Sequence, residues 1–267
     1  MERAQINGIT LEYEVQGSGD PVVLIHGGLG IADSFAPLMT EPALADRFTL
    51  IRYHRRGHAG SSKAEGPMSI ARGAADCLTL LRHLGVHQAH VVGHSYGGNI
   101  ALQLALDAPE AVRSLSLLEP GLADVPSGPK ILEKFERAGQ LYEAGDKAGA
   151  IDAGLQAVCG KGYRAALDAA VPGGFEQAVS DADTVFLEEG PAAQEWTFRR
   201  EDAGRIKQPV LAVLGANSVA VFGEGHQRLL EWLPQAKPFV LPRAGHALQV
   251  ENPGDMARGL AGFLSDN

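Results

Sequence analysis

Val91-Val92-Gly93-His94-Ser95-Tyr96-Gly97 is the stretch on which the reading of the chain turns. His90 to Gly93 fits a short buried strand. Tyr96 to Leu106, rich in Ala and Leu and ending before Pro109, fits a helix. Ser95 therefore stands on a strand-to-helix turn with glycine two positions to either side. A serine on such a turn is held in a strained backbone conformation that points its hydroxyl out of the sheet, and side chains at the flanking positions would clash. The helix start also aims backbone N–H groups at any oxyanion formed beside the serine. The alternative is a serine in an ordinary strand–helix turn, but the flanking elements make Ser95 a candidate nucleophile.

Outward from this turn, apolar runs of buried-strand type recur at Val22 to Ile25, Phe48 to Tyr53 (interrupted by Arg52), Leu115 to Leu118, Val210 to Leu214 and Phe239 to Leu241. Continuous apolar runs are expected of strands covered on both faces, as in a parallel sheet. Helical patterns lie between them. Ser69 is placed to cap a helix ending at Gly85, and Met256 to Phe263 fits the last helix. Asn7-Gly8 marks an N-terminal hairpin. Alternating strands and helices imply an α/β fold with a doubly wound, mostly parallel sheet of about eight strands. The rhythm breaks after Val125. Ile131, Phe135, Ala138 and Leu141, then Ile151, Leu155 and Val158, recur at helical spacing, and strand resumes at Gln208-Pro209-Val210. A helical insertion at 125–200 is expected, dividing a core domain made of 1–124 and 201–267.

The 267 residues carry 23 basic and 32 acidic side chains, a net charge of −9. That balance argues against general binding to nucleic acid or to anionic membranes. No signal-peptide pattern opens the chain and no apolar stretch is long enough to span a bilayer, so a cytoplasmic enzyme acting on a small molecule is expected. Cys77 and Cys159 read as free thiols, with Cys77 on the apolar stripe of its helix. Oligomeric state is not legible.

His26-Gly27-Gly28-Leu29-Gly30 follows the strand Val22 to Ile25. It fails as a dinucleotide loop, because the third glycine of that pattern would fall on Asp33. Its glycines instead let backbone approach a ligand, so the N–H groups of Gly28 and Tyr96 are candidates for an oxyanion hole; His26 reads as structural. His246 follows the last strand and precedes the last helix. Loops at the carboxyl ends of strands in such sheets gather over one crevice, which brings His246 toward Ser95. His83 and His87 have helical spacing suited to a metal, but no third ligand accompanies them. No metal or cofactor is implied.

The chain resembles the α/β-hydrolase family. The resemblance rests on His26 to Gly30, on Tyr53-His54-Arg55-Arg56-Gly57-His58-Ala59-Gly60-Ser61, on the turn at Ser95, and on Pro242-Arg243-Ala244-Gly245-His246 leading to Glu251-Asn252-Pro253. It implies that the helical insertion is a cap over an active site and that His246 is the general base. Relatives commonly carry the triad aspartate in a G-x-x-D pattern after the strand that here is Val210 to Leu214. This chain has Gly215-Ala216-Asn217-Ser218 there, with no negative charge to support a histidinium. A second arrangement in the family puts the acid after the preceding strand, where Glu119 stands. Ser95, Glu119 and His246 keep the family's chain order; Asp124 or an acid-free dyad is the alternative. His54 replaces a common aspartate and reads as structural, with substrate binding as the other possibility. Together these imply hydrolysis of a carboxylic ester or lactone through an acyl-enzyme on Ser95. The alternatives are C–C bond hydrolysis or cofactor-free perhydrolysis on the same fold, or a ligand-binding protein with little turnover. Epoxide hydrolase and haloalkane dehalogenase chemistry would need aspartate at Ser95.

Overall fold

A computed structural model describes residues 1–63 and 66–267. Its centre is an eight-stranded sheet built from β1 (Glu2–Ile6), β2 (Ile9–Gly17), β3 (Asp20–Ile25), β4 (Phe48–His54), β5 (Ala89–His94), β6 (Val112–Leu118), β7 (Val210–Gly215) and β8 (Ala236–Leu241). The spatial order is β1-β2-β4-β3-β5-β6-β7-β8. The first hairpin pairs Ile6 with Ile9 across Asn7 and Gly8, whose φ values of 49° and 80° suit the tight turn that this dipeptide favours. β2 joins β4 antiparallel, and every pairing from β4 through β8 is parallel.

Alternation along the central strands sends side chains to two separate cores. Val23, Ile25, Val91, Leu115 and Leu117 face one side, where they meet the helices Ile70–His83 and Tyr96–Asp107. Val22, Leu24, Val92, Leu118 and Val213 face the other, against Phe35, Leu38 and the helix Pro253–Ser265. Each large aliphatic side chain buried this way stabilises by roughly 1.5–3 kcal/mol, which is why these strands read as unbroken apolar runs. Ser69 caps its helix by accepting from the Arg72 N–H at 3.1 Å, and Gly85 ends the turn at φ 71°. Arg52, which interrupts the β4 run, is half-buried and ion-paired with Glu14 at 2.7 Å and with Asp33. One expectation needs correction. β8 is the sheet's edge and is largely exposed, Val240 included, so the apolar run Phe239 to Leu241 does not mark a strand covered on both faces.

Between β6 and β7 the chain is helical, including Gly128–Glu143, Lys147–Cys159, Tyr163–Ala170 and Gly174–Ser180. A third apolar core joins these helices to the segments that follow the carboxyl ends of the strands, through Leu29 and Ile31 after β3, Val221 and Phe222 in the helix after β7, and Val250 in the short helix after β8. Among the described residues no helix is long and apolar enough to cross a membrane, and both cysteines are free.

Candidate active site

The turn after β5 is as tight as its glycines suggest. Ser95 has φ 51° and ψ −118°, a strained conformation for any residue with a side chain. A Cβ on Gly93 would overlap the carbonyl of Gly97, and one on Gly97 would overlap the carbonyl of Ile25 in β3. The Ser95 N–H is held by the Leu118 carbonyl of β6 at 2.9 Å. Tyr96 is the first residue of the following helix, where N–H groups have no partner within the helix. Gly28 sits against it: a Cβ on Gly28 would stand 3.6 Å from Tyr96 Cβ.

Glu119 follows β6 directly and also has a positive φ, 47°. That bend turns its side chain toward β7 and the loop after β8. Glu119 Oε2 lies 2.6 Å from His246 Nδ1. Its Oε1 accepts from the Gly215 N–H at 2.7 Å and from Ser218 Oγ at 2.5 Å. Ser218, at the position where the resemblance leads one to expect an aspartate, thus donates to Glu119. Asp124 lines the cavity but is fully exposed and pairs with Arg228 at 3.5 Å, and among the described residues it makes no bond to His246.

His246 is buried, with Phe222 stacked on its ring at 3.7 Å and an interplanar angle of 7°. Burial disfavours charge on both partners of the pair: it lowers the His246 pKa and raises that of Glu119, while the hydrogen bonds from Ser218 and Gly215 draw Glu119 back toward its carboxylate. A carboxylate accepts from Nδ1–H, which leaves Nε2 of a neutral ring with its lone pair free. Ser95 and His246 line the same cavity; among the described residues the Ser95 hydroxyl has no hydrogen-bond partner.

His94, next to Ser95 in the turn after β5, makes contacts that sequence reading missed. Its Nε2 donates to the His246 carbonyl at 2.8 Å, and its Nδ1 accepts from Gln249 Nε2 at 3.2 Å. It ties the serine turn to the histidine loop. Burial drops its pKa to about 3, so the ring stays neutral in this role. The periodic pattern offered no signal for it beyond its place next to Ser95.

The stretch from His54 to Ser61 does not reach the pair. His54 bridges Glu12 at 2.9 Å and Asp33 at 3.1 Å. Arg56 forms a buried two-point ion pair with Asp76 at 2.6 and 2.7 Å. His26 accepts the Arg55 N–H at 3.0 Å through Nε2, and burial keeps it uncharged. Arg55 donates to the carbonyls of His26 at 3.1 Å and Gly27 at 2.7 Å, lies 4.6 Å over the Tyr96 ring, and is ion-paired with Glu189 from the helical layer. His58 Nε2 donates to the same Glu189 oxygen at 2.9 Å. Glu189 was not foreseen.

Gly28, His94, Ser95, Glu189 and His246 border a cavity of about 1430 Å³ beneath the helices. Its walls include Phe135, Leu155, Val158, Phe186, Val221 and Val250, with Ser34, Tyr96, Asn99, Glu189 and Gln249 as polar points. Among the described residues no group of three or more His, Cys, Asp or Glu side chains is arranged to hold a metal ion.

The α/β-hydrolase-fold family matches residues 20–160. This chain belongs to that family. The α/β-hydrolase is 27% identical over 273 residues to the 2-(acetamidomethylene)succinate hydrolase of Mesorhizobium japonicum, covering 98% of this chain and 94% of that one. It is 43% identical over 108 residues to a protein named as carbamate hydrolase RutD from Azorhizobium caulinodans, a match that spans only 40% of either chain. The fold of a thermophilic esterase from Thermogutta terrifontis superposes with a TM-score of 0.81 at 21% identity, covering 100% of this chain and 99% of that one.

Proposed function

We propose that this α/β-hydrolase cleaves a carboxylic ester or lactone of a small-to-medium, largely apolar molecule, with Ser95, His246 and Glu119 as its catalytic residues. The observation that carries the reading is the 2.6 Å contact between Glu119 and His246 Nδ1 on the cavity that also exposes Ser95. His246 Nε2 takes the Ser95 proton as Oγ adds to the acyl carbonyl. The N–H groups of Gly28 and Tyr96 receive the oxyanion. On collapse the C–O bond to the alcohol breaks, and the histidinium, held by the Glu119 carboxylate, returns the proton to the departing oxygen. Water then adds to the acyl-enzyme with His246 as base, releasing the acid and restoring Ser95. Residues 125–200 act as a cap whose apolar walls shield these steps from bulk water. A cytoplasmic setting with a small-molecule substrate and no bound cofactor fits this chemistry.

The test is turnover of short p-nitrophenyl esters. Wild-type protein hydrolyses them, and Ser95→Ala loses on the order of 10⁴–10⁶-fold in kcat, as when a triad nucleophile is removed. Equal rates for the two proteins would end the assignment.

A further inference from the structure

Glu189 is a buried carboxylate at the cavity with one oxygen committed and one without a partner among the described residues. Oε1 is taken by Arg55 and by His58 Nε2. Oε2 has no partner among the described residues, although the side chain is buried with the residue only 3% exposed. Glu189 lines the cavity beside the residues that flank the reacting carbonyl, and a Cβ on Gly28 would lie 3.4 Å from Oε2. A buried carboxylate oxygen with no donor is costly, and such groups are rare unless something supplies the missing bond. Arg55 directs its nitrogens at the His26 and Gly27 carbonyls and at Glu189 Oε1, and none of its N–H groups bonds to Oε2.

The geometry points to Glu189 Oε2 as a specificity-determining acceptor for a hydrogen-bond donor, a hydroxyl or an N–H, carried by the acyl part of the substrate close to the scissile carbonyl. Its placement relative to that carbonyl rests on the acyl-transfer reading given above. Arg55 already compensates the Glu189 charge and lies against Tyr96. A neutral donor is therefore favoured, whereas a second carboxylate beside Oε2 and the developing oxyanion is repelled. The apolar walls accept the remainder of the molecule, the usual division of labour in a ligand cavity.

Binding of intact esters to Ser95→Ala protein, measured by titration calorimetry, tests this without requiring turnover. The ligands are phenyl hexanoate and its 2-hydroxy, 3-hydroxy, 3-oxo and 3-carboxy derivatives. At least one hydroxy ester binds about 10-fold or more tightly than phenyl hexanoate, as for a hydrogen bond to a charged group, and the 3-carboxy ester binds most weakly. Adding Glu189→Gln inverts the order. Arg55 and His58 both donate, so the amide oxygen must face them, and an NH₂ group replaces Oε2 in the cavity. The 3-oxo ester then gains over the 3-hydroxy ester, a change of sign that loss of packing alone does not produce. Equal affinity of the hydroxy esters and phenyl hexanoate, or an order unaltered by Glu189→Gln, overturns the inference. If the double variant does not fold, the order in the single variant decides alone. Wild-type protein that binds these esters but never cleaves them contradicts the acyl-transfer reading and leaves the role of Glu189 standing.

Discussion

Two buried carboxylates stand close to the cavity: Glu119, at the end of β6, bonds to the cavity-lining His246, and Glu189, from the helical layer, lines the cavity itself. Each is about 3% exposed. Their surroundings push them apart. Glu119 has neutral partners, the Gly215 N–H, Ser218 and the His246 ring, and burial raises its pKa. Burial acts on Glu189 in the same direction, but the Arg55 guanidinium and the His58 ring outweigh it and hold the carboxyl at about 2. Equal burial does not mean equal chemistry. A carboxylate with neutral donors can respond when its histidine takes a proton, whereas one clamped by a guanidinium is a fixed charge that structures its surroundings.

Replacing each acid separately sharpens the contrast, and the larger catalytic effect belongs to Glu119. Glu119→Gln keeps the shape and loses the charge that stabilises the histidinium, so kcat on a p-nitrophenyl ester falls by roughly 10²–10⁴-fold, as for a triad acid. An undiminished kcat would mean that Glu119 only positions its loop.

Glu189→Ala affects the folded state more than the chemical step. It leaves the Arg55 charge buried without its partner, and stability falls by about 3–5 kcal/mol in chemical denaturation. The pH dependence follows from the depressed pKa. The carboxyl titrates at about 2 when folded against an ordinary value of 4.5, so its contribution is complete above about pH 4.5 and is lost as pH falls toward 2. The stability gap between wild type and Glu189→Ala should therefore narrow over that interval; a gap independent of pH would show that the carboxylate charge does not supply it.

The same contrast marks what could be read from the residues. The sheet side is governed by local rules. Unbroken apolar runs gave β3, β5, β6 and β7, and Gly93 and Gly97 announced a turn that tolerates no side chain. Glu119 was singled out by the resemblance, which allows an acid after the strand that here is Leu115 to Leu118, and His246 by the same resemblance together with its place between the last strand and the last helix. The edge strand β8 was misjudged because Phe239 to Leu241 is apolar in composition while Val240 faces solvent. Nothing local distinguishes Glu189 from Glu188 beside it. Its role comes from tertiary packing, where a helical layer laid over the strand ends brings a carboxylate to Arg55 and His58, more than 130 positions earlier in the chain. His94 escaped notice for a related reason: its partners are a backbone carbonyl and Gln249, both more than 150 positions away.

The most direct test of the central claim is covalent labelling by a fluorophosphonate, followed by peptide mass spectrometry. One phosphonyl group is expected on the peptide that contains Ser95, with labelling slowed by about 10²-fold or more in Glu119→Gln. Absence of labelling, or labelling that persists in Ser95→Ala, would contradict the assignment of Ser95 as a nucleophile activated by the His246–Glu119 pair.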